Sequence, residues 1–427
     1  MFTGNGGHGW DVFFAFNRGY GVKFSLYQTT ALTILMALTV AGAAQAEDSF
    51  SGALAASKPI VESNLRSEQV EQQGFTNKAD ALTWRNRIGV QTGDFHHLKF
   101  LVEFDNVTAL SSDYNSTTNG KTAYPVVSDP EVTELNRAQI VWTPTVTTTL
   151  TAGRQRIILD DGRFIGNVGW RQDEQTMDGI RLDSGIGKLK YSLAYLNKIN
   201  RVLAESKDWN SDSWVVNASY AFNDRLKLTA FDYALDFDNA AASSTNTWGL
   251  RATGGTKAGA LKLTYTGQYA RQTDYGNNPA DFDLQEYMVE AGATYGLATF
   301  KVNYESLGGN GTIGFVTPLG TNHAFQGFSD AFSGTGGNKT TVNGIDDLSY
   351  SLSLALPAKL KPTLSLVYHD LTTAHLDHKL GQEWDAVATI ALTPHLSALV
   401  KYADFDSAGG SAPASRRKTW IALQYKL

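Results

Sequence analysis

From about Ile60 to Leu427 the chain is a succession of segments in which apolar and polar residues alternate, and this restricts its possible folds more than any other feature. Leu82, Trp84, Ile88 and Val90 fall on one face of an early segment, and Thr83, Arg85, Arg87 and Gln91 on the other. Phe300, Val302 and Tyr304 oppose Lys301, Asn303 and Glu305. In the last segment Thr419, Ile421, Leu423, Tyr425 and Leu427 oppose Trp420, Ala422, Gln424 and Lys426. The period of two predicts strands, about eighteen of them. Their expected centres lie near Leu65, Ile88, Val102, Gln139, Leu150, Ile180, Leu193, Val216 and Ala230. The series continues near Leu250, Tyr265, Val289, Val302, Leu352, Leu366, Ala388, Leu399 and Leu423. So many strands must close on themselves or leave two long edges exposed.

The connections alternate between short and long. The short ones are expected at Gly93-Asp94, Pro144-Thr145, Ser184-Gly185, Asn223-Asp224, Gly254–Gly259, Gly296-Leu297, Pro357-Ala358 and Thr393-Pro394. They hold the Gly, Pro, Asn and Asp that tight turns require. The long ones include Thr108–Val132, Ile157–Thr176, Gly308–Gly344 and Phe405–Arg417. This alternation predicts an all-β chain, a transmembrane antiparallel up-and-down barrel with short turns at one end and long loops at the other. Arg, Lys and Glu lie in mid-strand on the polar face, and Trp and Tyr near strand ends on the apolar face. That placement suits a polar lumen and an aromatic girdle. A soluble sandwich or β-helix is the alternative.

Ala31–Ala44 is too short for a membrane helix and has the length of a signal-peptide core. Lys23 precedes it and Ala44-Gln45-Ala46 supplies a cleavage site, so residues 1–46 read as an extension plus a cleaved secretory signal. Asp11 and the aromatics before Lys23 are foreign to such a leader and suggest a true start near Val22. Residues 47–427 then form the barrel, integral to the outer membrane of a Gram-negative cell. The sequence has no cysteine, which excludes disulfides and thiolate metal sites. A formal charge of −6 argues against nucleic acid. The expected partners are outer-membrane lipid, a barrel-assembly machinery engaging the last strand, and an anionic solute. No cofactor or metal is expected, and eighteen strands lean towards a monomer.

The most unusual stretch is Gly153–Leu182, which has four arginines between positions 154 and 171. Gly153-Arg154-Gln155, Arg163-Phe164-Ile165-Gly166, Trp170-Arg171-Gln172 and Asp178-Gly179-Ile180-Arg181-Leu182 resemble the alginate-export family of outer-membrane porins. The resemblance implies a monomeric eighteen-stranded barrel with an arginine-rich constriction that passes an anionic polysaccharide such as alginate by passive diffusion. The residue pattern supports part of this independently. Arg66, Arg85, Arg87, Arg137, Arg181 and Arg251 all lie opposite the apolar face. Guanidinium stays charged and grips carboxylate as a fork. With Arg154, Arg156, Arg171, Asp178 and Asp183 they form the candidate pore lining, which Lys99, Lys190, Lys262 and Lys301 would extend. Arg154 and Arg156 share parity with Leu150 and Ala152, so they must lie above the membrane or follow a bulge.

Glu62, Glu68, Glu103, Asp183, Asp232, Glu290 and Glu305 are expected in the lumen too. The lumenal charges therefore form a selectivity filter or brace the wall by pairing. Gly308–Gly344, poor in charge, is either a lid folded into the pore or an external loop. The histidines sit in no nucleophile motif, so no enzyme is expected. Other readings are an uptake porin for small organic acids or sugars, and a structural barrel without transport.

Overall fold

The computed structural model describes residues 49–334, 337–338 and 340–427. The expected leader, residues 1–46, lies outside the described residues. A one-turn helix, Phe50–Ala55, is capped by Ser49, whose hydroxyl accepts from Gly52 N at 3.0 Å. It seats on the first short turn, where Gly93 N donates to Ala53 O at 2.9 Å and Phe50 meets Phe95 edge-on.

Eighteen strands follow. They are β1 Lys58–Gln72, β2 Ala79–Gln91, β3 Leu98–Asp113, β4 Val132–Thr145, β5 Thr148–Gln155 and β6 Thr176–Ile186. Next come β7 Leu189–Asn200, β8 Trp209–Asn223, β9 Leu226–Leu235, β10 Thr245–Ala258, β11 Leu261–Asp274 and β12 Asp283–Tyr295. The last six are β13 Ala298–Leu307, β14 Ile345–Ala355, β15 Thr363–Thr372, β16 Lys379–Ala391, β17 Leu396–Ser407 and β18 Arg416–Lys426. Every expected centre falls within its strand. Each strand pairs antiparallel with the next, and β18 returns to β1 from Glu62↔Lys426 to Gln72↔Arg416. Closure leaves no edge, so the backbone hydrogen bonds are satisfied within the sheet, as a membrane requires.

Leu250, Val289, Ile421 and Val400 are among the many large apolar side chains left exposed on the outer face. Their strand neighbours Arg251, Met288, Trp420 and Lys401 are buried within. A soluble sandwich would bury the other set. Four turns fall later than expected, the expected Asn223-Asp224 turn by one residue, since Asn223 still pairs with Leu226. Thr145, Ser184-Gly185 and Gly254–Ala258 still belong to strands, and the reversals come at Val146-Thr147, Gly187-Lys188 and Gly259-Ala260. Ladder pairing continues until a residue can reverse the chain, and Gly187 and Gly259 do so at φ near 60°. Asp232 is also corrected. It shares the outward register of Leu228 and Ala230 and lies opposite outward-facing Trp248, while Phe231 and Tyr233 point in.

Candidate functional site in the lumen

Period two fixes the face a strand residue occupies, so Arg66, Arg85, Arg87, Arg137, Arg181 and Arg251 all stand on the lumenal side. What lies opposite them is decided by two connections that fold inward.

The β5–β6 connection, residues 156–175, crosses the barrel. At one side, Gln172 accepts from Asn64 of β1 at 3.1 Å and donates to Thr83 Oγ1 of β2 at 2.8 Å. At the other, Asn217 of β8 donates to Asp160 at 2.7 Å and Arg251 of β10 reaches Asp161 at 2.7 Å. Strands β1 and β10 lie half the barrel apart. Arg163 forks onto Glu305 of β13 at 2.6 and 3.1 Å. The β13–β14 connection, residues 308–344, lies against it: Gly166 N donates to Leu319 O at 2.8 Å. There is no room for a side chain at 166, since a Cβ there would overlap Thr321 Oγ1. This second connection docks on β16, where Ser329 N donates to Glu383 at 2.6 Å and Phe328 N to Asp385 at 3.0 Å.

Ile157, Phe164, Ile165, Phe315 and Leu319 of the two connections pack with Phe231 and Tyr233 of β9, Leu284 of β12 and Leu307 of β13. One side of the lumen is therefore an apolar core towards the long-loop end. This burial supplies much of the force that holds the connections inside.

The opposite side is charged. Glu103, fully buried on β3, accepts from Arg137 Nε at 2.8 Å and from Asn136 at 2.8 Å. A bulge in β4 at Asn136 lets both neighbours reach the lumen. Arg87 lies among Asp105, Glu62, Glu103 and Glu174. Arg85 faces Glu62 at 3.6 Å. Glu174 also accepts from Arg156 Nε at 2.7 Å. Strand β5 ends at Gln155, so Arg156 escapes the alternation and turns in. Arg181 pairs with Asp183 at 2.7 Å. Farther round, Arg66 meets Asp129, and Arg171 reaches Glu68 at 3.2 Å and Asp330 at 2.7 Å.

Arg154 and Asp178 are the exceptions in the expected lining. They pair at 2.8 Å on the outward face, bordering a shallow groove with Ile180 and Tyr195. Their parity with Leu150 and Ile180 places them there, and no bulge intervenes between Leu150 and Arg154.

Each remaining arginine meets a carboxylate, but Arg251 does so at Asp161 on the far wall, away from the others. Arg137, Arg156 and Arg181 keep the most exposure, with side chains 16%, 26% and 22% accessible. Sequence reasoning missed Glu174, Asp129, Asp330, Lys401 and Lys418 as members of the network. Lys401 Nζ sits 3.3 Å from the Phe328 ring centre and 4.1 Å from that of Trp170, a cation–π cage joining both connections to β17. Lys418 reaches Asp330 at 2.7 Å.

Electrostatics hold the crossing segment in place. Burial opposes ionisation of Asp330, yet His323, Lys418 and Arg171 keep its carboxyl well below the usual range. Burial also works against Glu174, but Arg87 and Arg156 outweigh it and set its pKa at about 2. Burial and the nearby Glu134 and Asp105 carboxyls push Asp173 well above its ordinary value. The Glu174 anchorage is complete above pH ~4.5, the unfolded value, and is lost as pH falls through about 2. Pepsin should therefore spare residues 156–175 at pH ~5 and cut them increasingly as pH approaches ~2. Glu174→Gln should be cut already at the higher pH. A variant with the wild-type pH profile would show that Glu174 is not the anchor.

The family model described as alginate export matches residues 62–369. No curated protein matches the chain in sequence. Among solved structures, OccAB2 of Acinetobacter baumannii superposes with a TM-score of 0.67 at 17% identity, covering 87% of this chain and 98% of that one. OpdL of Pseudomonas aeruginosa gives 0.66 at 15%, with the same coverage. OpdK of Pseudomonas aeruginosa, solved with vanillate, gives 0.64 at 14%, again with 87% and 98% covered. At these identities the likeness establishes the barrel fold.

Proposed function

The chain belongs to the alginate export family and is an outer-membrane β-barrel channel, and on that footing we propose that it passes anionic, carboxylate-bearing solutes by passive diffusion along an arginine-lined wall. The preferred solute is an anionic polysaccharide such as alginate. The carrying observation is the cluster on β2, β4 and β6 with the crossing segment, where Arg137, Arg156 and Arg181 retain exposure. A guanidinium already aligned on a carboxylate can exchange that partner for a passing one without being buried alone. Bracing and selection are thus two uses of the same pairs.

A second reading is uptake of small organic acids. Two inserted connections narrow the lumen, and OpdK, one of the structural neighbours, was solved with the carboxylate vanillate.

Single-channel recording in a planar bilayer under a salt gradient tests the proposal. The wild type should show an anion-selective reversal potential, and Arg137→Gln/Arg156→Gln/Arg181→Gln should lower the preference several-fold. An unchanged potential would remove these residues from the path. Block by polyuronate favours the polymer, whereas block only by small carboxylates favours the second reading.

A further inference from the structure

Charge is distributed unevenly along the barrel axis. The chain is acidic overall, at −6. Its short-turn edge from β7 to β13 is nevertheless basic. Lys188, Lys190, Arg225, Lys227, Lys257, Lys262 and Lys301 lie on that edge, against Asp224 and Glu290. Lys190 shares the lumenal register of Ser192, Lys227 that of Thr229, Lys257 that of Arg251 and Lys262 that of Gln268. All four lysines are exposed. Among the described residues, none of the four is within ion-pair distance of a carboxylate, whereas Lys301 holds Glu290 at 2.9 Å. Lys257 and Lys262 are direct cross-strand partners. Like charges so placed repel and destabilise the pair, which a merely soluble rim does not need. Seven adjacent strands at ~4.8 Å spacing spread this collar over about 30 Å of wall.

We infer that this half-collar is a capture surface for a polyanionic chain, a polycarboxylate, entering the barrel from its short-turn mouth. The inference rests on the anionic-channel reading and adds the side of entry. A linear polymer with a carboxylate on each residue can contact several spaced ammonium groups at once, whereas a small acid meets one. The lysines face the lumen, so bilayer headgroups are not their partners. Ammonium also suits a moving ligand, because it is a hydrated point charge on a flexible stem that holds a sliding chain without the fixed fork of guanidinium. Towards the long-loop end the arginines sit among carboxylates, so attraction declines inward and the chain is not trapped.

The test is block by polygalacturonate added to one side of oriented single channels at ~0.1 M salt, where fields reach about 10 Å. In the wild type, block from the short-turn side should need about tenfold less polymer than block from the other side. In Lys190→Gln/Lys227→Gln/Lys257→Gln/Lys262→Gln the two sides should become equal. Heat-modifiable migration should match the wild type, confirming the fold. A variant that keeps the asymmetry overturns the capture surface and leaves the channel reading intact. Wild-type channels with no side preference, or with no block, also overturn it. The salt-gradient reversal potential of the same channels then shows separately whether the anion reading stands.

Discussion

Joining Gly311 to Val342 by a short linker, so that residues 312–341 are removed, raises single-channel conductance several-fold. The base of this connection is already closed, since Gly311 N donates to Val342 O at 2.9 Å, so its ends need not move. The excised part carries Phe315 and Leu319 of the apolar cluster and the backbone donors that occupy Glu383 and Asp385. Its loss hydrates that side of the lumen and frees the segment 156–175 from one of its two supports. The barrel strands keep every neighbour, so heat-modifiable migration should be preserved. Conductance equal to the wild type in a folded variant would place the 308–344 connection outside the conducting path.

Arg163→Met should release the crossing segment from β13. The guanidinium is buried, forks onto Glu305, donates to Gln326 at 3.2 Å and lies 4.5 Å from the Phe325 ring centre. Removing it leaves Glu305 buried without its cation, a defect that costs about 3–5 kcal/mol in comparable pairs. The expected result is rapid proteolysis within residues 156–175 and flickering current, with the barrel intact. Arg163→Met/Glu305→Gln should recover much of the resistance, because the orphaned charge is then absent. Single and double variants as resistant as the wild type would show that the apolar cluster alone holds the segment.

The family motif gains a physical meaning from these contacts. Arg163, Gly166, Arg171 and Gln172 are the residues by which the crossing segment grips β13, the second connection, and β1 and β2. Arg154 and Asp178, in the same motif, bind each other on the outside. The motif marks how the segment is threaded as well as what it presents to solute. The alternation in β9 carries a further signal, of the core inside the lumen. Phe231, Tyr233 and Leu235 put apolar side chains on the face that elsewhere holds Thr229 and Lys227. A strand whose lumenal face turns apolar at one end has a core to bury there.

The sequence by itself determined the number, order and faces of the strands. Period two, the alternation of short and long connections, and turn chemistry are local properties readable within a dozen residues. Parity follows from the same period, so it also placed Arg66, Arg85, Arg87, Arg137, Arg181 and Arg251 inward, whereas Arg154, expected in the lining, lies outside, and Arg156 turns in only because its strand has ended. The partners of those arginines were decided only by the tertiary structure. Arg171 meets Asp330 and Arg163 meets Glu305 across more than a hundred residues of chain. Whether the 308–344 connection lies outside or within was likewise decided by packing. Its residues gain burial against strands β9 to β13 only after the barrel has closed around them.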